Sequence, residues 1–333
     1  MPLAVSFAEM RLKISDKRGR FLATEKYGKI VKGLGGLYEV RISENGEITR
    51  LLSRAKGNLK KDDEKLLIGD NVVVTVDEDT PDGIVISAVE ERKNALIRPP
   101  VSNLDYLFIV FAAKKPTPVL ETVDKLISIA EHNGIEPVVI ISKNDVSPGA
   151  AIEYKEIYTE VGIRTFVTSS SSGEGIAELK EYISENVRDG KTAAFAGASG
   201  VGKSTLMNAL FDGLSLATAD ISKKIERGKH TTRHVEIFDI TGNVNTGFLA
   251  DTPGFSLIDF ARFDFFTLEE LEWTFREFRA YKGKCRYADC SHVGEGADEC
   301  AVMAAVSRLE IPQSRLESYR SIYKVLKIKK SYN

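Results

Sequence analysis

The run Gly197-Ala198-Ser199-Gly200-Val201-Gly202-Lys203-Ser204-Thr205 constrains this chain more than any other stretch. It follows the apolar Ala193-Ala194-Phe195-Ala196 and opens into LMNALFDGL, whose apolar spacing is helical. The pattern is Gly-x4-Gly-Lys-Ser, the phosphate-binding loop. Its physics demands a strand before it and a helix behind it. Glycines let consecutive backbone N–H groups turn inward on phosphates, and the helix adds its positive N-terminus. Lys203 would reach the β- and γ-phosphates, and the Ser204 hydroxyl would ligate Mg²⁺.

The sequence ahead of this loop supplies the rest of an α/β domain. LFIVFAA, a helix over VLETVDKLISIAEHNG, PVVIIS, a helix near residues 151–161, RTFVTS and the helix AELKEYISENV alternate in order. That alternation predicts a largely parallel sheet. SKND, Ser142-Lys143-Asn144-Asp145, ends the apolar strand Val138–Ile141, and strand C-termini are where such sheets bind ligands. Its spacing resembles the Asn/Thr-Lys-x-Asp guanine motif of GTPases, with Ser142 standing where Asn or Thr is usual. Asp145 would accept from guanine N1–H and the exocyclic amine, and the Lys143 stem would pack over the base. TSSSSGEG, from Thr168 to Gly175, resembles the Ser-Ala-Lys loop that meets guanine O6 through backbone N–H; Ser169 and Ser170 match its first positions by class.

Beyond the phosphate loop, ERGKHTTRH resembles a first switch, in which Thr231 or Thr232 would complete the Mg²⁺ shell. DTPG, Asp251 to Gly254, follows the apolar VNTGFLA and resembles Asp-x-x-Gly. Asp251 would hold Mg²⁺ through a water, and the Gly254 N–H would sense the γ-phosphate. The next residue is Phe255, where many GTPases have a water-orienting glutamine. His230, beside the switch threonines, is the nearest group able to take that role. The guanine loops precede the phosphate loop and switches, a circular permutation of the usual order. A sheet whose natural termini lie close together tolerates this.

At 333 residues the chain has room for several cores. Residues 1–92 hold five short Val/Ile-rich runs, GKIVKGL, LYEVRI, GEITRLL, NVVVTV and GIVISAV, separated by turn residues. They predict an OB-type barrel, with an SH3-like barrel as the alternative. Lys/Arg-rich Ser53–Lys65 is expected to be a loop between strands and a candidate phosphate contact. Residues 93–103 are a Pro-stiffened linker, 104–262 the permuted nucleotide domain, and 263–333 a helical metal-binding domain. Within the last, helices are expected over about 267–279 and 312–329. All three cysteines fall there: Cys285, Cys290 and Cys300, with His292 between them. Three thiolates and an imidazole are the usual tetrahedral set of one structural Zn²⁺. An odd cysteine number argues against a disulfide framework.

Net charge is −2, so a nucleic acid would have to be met by local patches; the 7 Lys/Arg against 2 Asp/Glu after residue 300 offer one. The longest apolar run, Leu107–Ala113, cannot span a bilayer, and the first residues lack a basic region and cleavage site. No membrane partner and a cytoplasmic monomer are expected.

Permuted motifs, a barrel before them and Cys-x4-Cys-x-His…Cys after them resemble ribosome small-subunit-dependent GTPase A, the RsgA/YjeQ family. Phrases such as RPPVSNLDYLFIV and IGDNVVV fit it too, and the likeness spans about residues 10–325. The His292–Cys300 gap is longer than the family's usual one. The resemblance implies GTP hydrolysis to GDP on the 30S subunit during late maturation, with barrel and zinc domain gripping 16S rRNA. An ATPase or small-molecule kinase would share only the phosphate loop. An RNA clamp with a regulatory nucleotide site would not need Lys203, Ser204 and Asp251 together.

Overall fold

The computed structural model describes residues 25–57, 59, 65–76, 84–211, 235–241, 245–251 and 259–331. They fall into two compact units, one drawn from residues 25–104, 185–194 and 211–251 and one from 105–184, 195–210 and 259–331.

The first unit is built on a closed barrel. Strands β1 (Lys26–Leu34), β2 (Leu37–Glu44), β3 (Glu47–Ala55), β4 (Asn71–Val76) and β5 (Ile84–Val89) pair in the order 1-2-3-5-4-1. Every neighbour is antiparallel except β3–β5, which is parallel. This is the OB-type arrangement. Alternating residues Ile30, Val40, Ile42, Val72, Val74 and Ile86 fill the interior.

Two expectations about this region change. Ser53, Arg54 and Ala55 belong to β3, because Arg54 and Ala55 pair with Val85 and Ile86. The supposed loop therefore starts later, and Lys60 and Lys61 lie outside the described residues. The linker is not a bare tether either. Ala95–Leu96 (β6) and Val101–Ser102 (β7) form a small hairpin, bridged to the barrel at Ile68–Val101. Asp70, wholly buried, receives Arg92 at 2.7 Å and Ser102 Oγ at 2.6 Å, while Asn103 Nδ2 donates to Gly69 O. A buried carboxylate needs such donors, so the linker follows the barrel's surface.

The same unit holds part of β11 (Thr192–Ala196) and the hairpin of β12 (Glu236–Asp239) and β13 (Phe248–Asp251). β13 runs parallel to β11 and antiparallel to β12.

In the second unit β8 (Tyr106–Ala112), β9 (Glu136–Ser142) and β10 (Arg164–Val167) form a parallel sheet with β9 central. Ala112 pairs with Ser142, and Ile141 with Val167, so the three strands end level. Helices α1 (Leu120–His132) and α2 (Pro148–Glu160) make the crossovers; α3 (Ile176–Asn186) follows β10, and α4 (Lys203–Phe211) follows the phosphate loop. The C-terminal part contains α5 (Ala301–Ser307) and α6 (Gln313–Lys330).

The helix expected over residues 267–279 is instead two 3₁₀ segments, Leu271–Thr274 and Arg276–Tyr281. Phe275 between them is extended, at φ −105° and ψ 94°. The break lets Leu271, Phe275 and Phe278 all be buried, with Tyr319 packed on both phenylalanines. Tertiary packing outweighs the segment's good helix propensity.

Candidate functional site

The candidate guanine loops follow the level ends of β9 and β10, and the phosphate loop follows β11. Gly197 leaves β11 at φ +141°, and a Cβ on it would lie 2.0 Å from Val110 O. Only glycine permits that approach. Lys203 opens α4 and turns back, its Nζ donating to Gly197 O at 2.6 Å and Ala198 O at 2.8 Å. Burial lowers its pKa. Ser204 and Thr205 lie exposed in the first turn of α4, while Val201 is buried. Backbone N–H groups, an ammonium and a hydroxyl at one helix start form an anion-binding cradle.

Ser142, standing where Asn or Thr is usual, is buried at the end of β9. Its Oγ lies 2.5 Å from Val201 O and 3.1 Å from Phe111 O, tying the strand end to the phosphate loop. Lys143, left-handed at φ 58°, sends Nζ to Gly200 O at 2.7 Å and Lys115 O at 2.6 Å. Its stem thus crosses beside Gly202, whose added Cβ would lie 3.8 Å from Lys143 Cε.

Asp145 is exposed rather than buried, and Oδ1 accepts Ser169 Oγ at 2.6 Å. The Ser169 and Ser171 hydroxyls hold its carboxyl below the ordinary range, so it remains an acceptor. Ser169 is fully buried; Ser170 is half-buried beside it. Asn144 Nδ2 donates to Glu174 Oε2 at 2.8 Å. Glu174 and Ser171 escaped sequence reasoning, although both lie in the serine-rich run singled out there.

Asp251 is the last residue of β13, opposite Glu236. His230, Thr231, Thr232 and Gly254 lie outside the described residues.

The second candidate site is the cysteine cluster. One ligand atom from each of Cys285, Cys290, His292 and Cys300 lies within 4.8 Å of every other. His292 Nδ1 is 3.7, 3.4 and 3.2 Å from the sulfurs of Cys285, Cys290 and Cys300, and the Cys285 and Cys300 sulfurs are 4.0 Å apart. Bonds of about 2.3 Å to sulfur and about 2.0 Å to nitrogen around a tetrahedral ion predict edges of roughly 3.5–3.8 Å. The residues fit a metal of that size.

Burial pushes the Cys290 and Cys300 thiols up and the imidazole down, so holding these two as thiolates beside the neutral ring calls for a cation. Backbone N–H groups of Ala301 and Met303 point at the Cys285 and Cys300 sulfurs. His292 Nε2 faces Glu272 Oε1 at 3.8 Å, which places a carboxylate beside the outer edge of the ring. Burial tends to raise Glu295, but the N–H groups of Ser291, Val293 and Gly294 bring it down to about 2, stiffening the loop beside His292. Neither glutamate carried a signal in sequence.

A family profile described as RsgA GTPase matches residues 89–261, and one for the RsgA N-terminal domain matches 27–85. A small ribosomal subunit biogenesis GTPase RsgA of Agathobacter rectalis is 38% identical over 314 residues, covering 92% of this chain and 99% of the relative. An RsgA 2 of Listeria monocytogenes is 41% identical over 307 residues, covering 91% and 98%. Among solved structures, YloQ, described as a circularly permuted GTPase, matches with TM-score 0.73 and 30% identity, over 92% of this chain and 96% of its own. YjeQ from Thermotoga maritima matches with TM-score 0.71 and 34% identity, over 91% and 99%.

Proposed function

We propose, from the premise that the chain belongs to the RsgA GTPase family, a GTPase whose hydrolysis is stimulated by the 30S subunit during its late maturation. GTP hydrolysis is the family's activity, and ribosome maturation is its setting. The observation that carries the reading is the Ser142–Val201 hydrogen bond, which makes base recognition and phosphate binding one construction.

In this reading the Gly197–Ser204 backbone and Lys203 bind the phosphates, while Asp145 and the Ser169–Ser170 backbone recognise guanine. Mg²⁺, which accompanies GTP, would be held by Ser204, by Thr231 or Thr232, and by Asp251 through a water, and would neutralise phosphate charge. Gly254 senses the γ-phosphate. Phe255 has no atom to orient water, and His230 takes that task, accepting a hydrogen bond from the nucleophile. The cysteine–histidine set holds one structural Zn²⁺, all four positions being protein ligands. The barrel and the C-terminal part contact 16S rRNA, and the protein works as a cytoplasmic monomer. Among the described residues no helix is long and apolar enough to cross a membrane.

The test is GTP turnover with purified 30S, 50S and 70S particles. Stimulation by 30S is expected, and partner-assisted GTPases gain about 10³ to 10⁵. His230→Ala should keep 30S binding but lose at least about tenfold of stimulated turnover. Equal rates with and without every particle would refute ribosomal stimulation.

A further inference from the structure

Neither nucleotide binding nor the cysteine cluster uses a set of buried charges in the first unit. Arg41 on β2 and Asp239 on β12 meet at 2.5 Å, each side chain 4% exposed. Arg50 on β3 reaches the other Asp239 oxygen at 2.6 Å and Glu39 at 2.9 Å. On β13, the Phe248 ring centre lies 5.1 Å from the Arg41 guanidinium and 5.6 Å from Lys29 Nζ of β1.

The backbone joins at the same place. β4 covers the edge of β1 over Lys26–Lys29, and β12 takes that edge over at Lys32, opposite Glu236. A bulge at Val31 turns β1 between the two partners. Lys32 Nζ adds an ion pair to Glu236 at 3.1 Å. Three barrel strands thus grip one hairpin.

That grip is specific to register. Side chains alternate along a strand, so a slip of β12 by one residue would turn Asp239 away from both guanidiniums. Taking the carboxylate away from buried Arg41 is strongly unfavourable. A shift of the hairpin must therefore carry the barrel with it or break the clamp.

The hairpin is not neutral ground. β12 begins four residues after Thr232, and β13 ends at Asp251, the first residue of Asp-x-x-Gly. These flanking segments match the two that rearrange with the γ-phosphate in GTPases. We propose that Arg41 and Arg50 are positioning residues that lock the barrel to the strand pair between the switches, so that the barrel responds to the nucleotide bound. By reciprocity, a partner bound to the barrel biases the switches by the same free energy. This inference rests on the GTPase reading above.

Hydrogen exchange on the full chain with Mg²⁺ and either GDP or a non-hydrolysable GTP analogue tests it. Amides of β1–β3 should exchange at rates differing by about fivefold or more between the two nucleotides. Arg50→Glu, which sets a carboxylate against Asp239, should abolish that difference while residues 197–211 keep their protection by nucleotide. The swapped pair Lys32→Glu with Glu236→Lys should retain it. Barrel amides indifferent to nucleotide in the wild type, or a full response in folded Arg50→Glu, would overturn the proposal. Should Arg50→Glu fail to fold, the wild-type comparison and Arg50→Met decide in the same way. No protection of residues 197–211 by either nucleotide would instead sink the GTPase reading, and the coupling with it.

Discussion

At the scale of single residues, Ser142 and Asp145 show how much a small side chain can decide. Ser142 is shorter than the Asn usual at its position, yet its hydroxyl reaches Val201 O at 2.5 Å. Ser142→Ala would leave that buried brace unmade, at a cost of about 1–3 kcal/mol, and Ser142→Thr should restore it. GTP affinity and thermal melting of the purified variants measure the effect together. Asp145, exposed and held ionised by serine hydroxyls, is set to accept two donors from guanine. Adenine offers an acceptor where guanine offers N1–H, so the carboxylate would lose both donors and meet a repelling lone pair. Asp145→Asn is expected to move preference from GTP toward xanthosine triphosphate in competition binding. Equal wild-type affinity for ATP and GTP would contradict this role.

At the scale of elements, the C-terminal segment is organised by its ligands more than by its helices. Phe275 breaks what would be a continuous helix, and Phe278 then packs edge-on to His292 at 5.8 Å between ring centres. Between Phe278 and Cys300 no apolar side chain is buried, so a metal there contributes folding energy outright, on the order of 10 kcal/mol for structural zinc. Cys290→Ala should therefore unfold residues 284–300 around the ligands, read by proteolysis, while α6 stays held by Arg315 and nucleotide affinity stays largely intact. Metal analysis of purified, unchelated protein should give close to one zinc per chain; less than about half an equivalent would exclude the assignment.

At the scale of the molecule, a buried charge cluster holds the C-terminal part within the second unit. Arg315 on α6 is wholly buried, bonding Asp124 on α1 at 2.5 Å and Glu277 at 2.7 Å, with its guanidinium 4.6 Å from the Phe275 ring centre. Burial keeps Asp124 above the usual carboxylate range even beside that cation. Arg315→Ala strands two buried carboxylates and should cost about 3–5 kcal/mol in denaturant unfolding, whereas replacing all three partners by apolar residues should cost far less. The basic end of α6 is also engaged within the unit. Lys329 pairs with Asp264 at 2.6 Å, and Lys330 pairs with Glu269. Neutralising Lys60 and Lys61 is therefore expected to flatten the salt dependence of 30S binding, by roughly one unit of slope for each phosphate no longer neutralised. Lys329→Gln should leave the slope unchanged, and log–log binding isotherms separate the two cases.

Taken by itself, the sequence determined what depends on local spacing. Five strands with turn residues between them, the strand–loop–helix around Gly197, the order of the guanine and phosphate loops, and the four metal ligands are all legible because neighbours in sequence act together there. The tertiary structure alone decided what depends on groups far apart in the chain. Burial around Tyr319 broke the helix at Phe275; the barrel wall absorbed Ser53–Ala55 into β3; Asp70 drew the linker onto the barrel. Most of all, Asp239 found Arg41 and Arg50 nearly two hundred residues away, since a buried carboxylate must be paired wherever the fold supplies a cation. No periodicity announces such a partner, because it is selected by desolvation in three dimensions rather than by position along the chain.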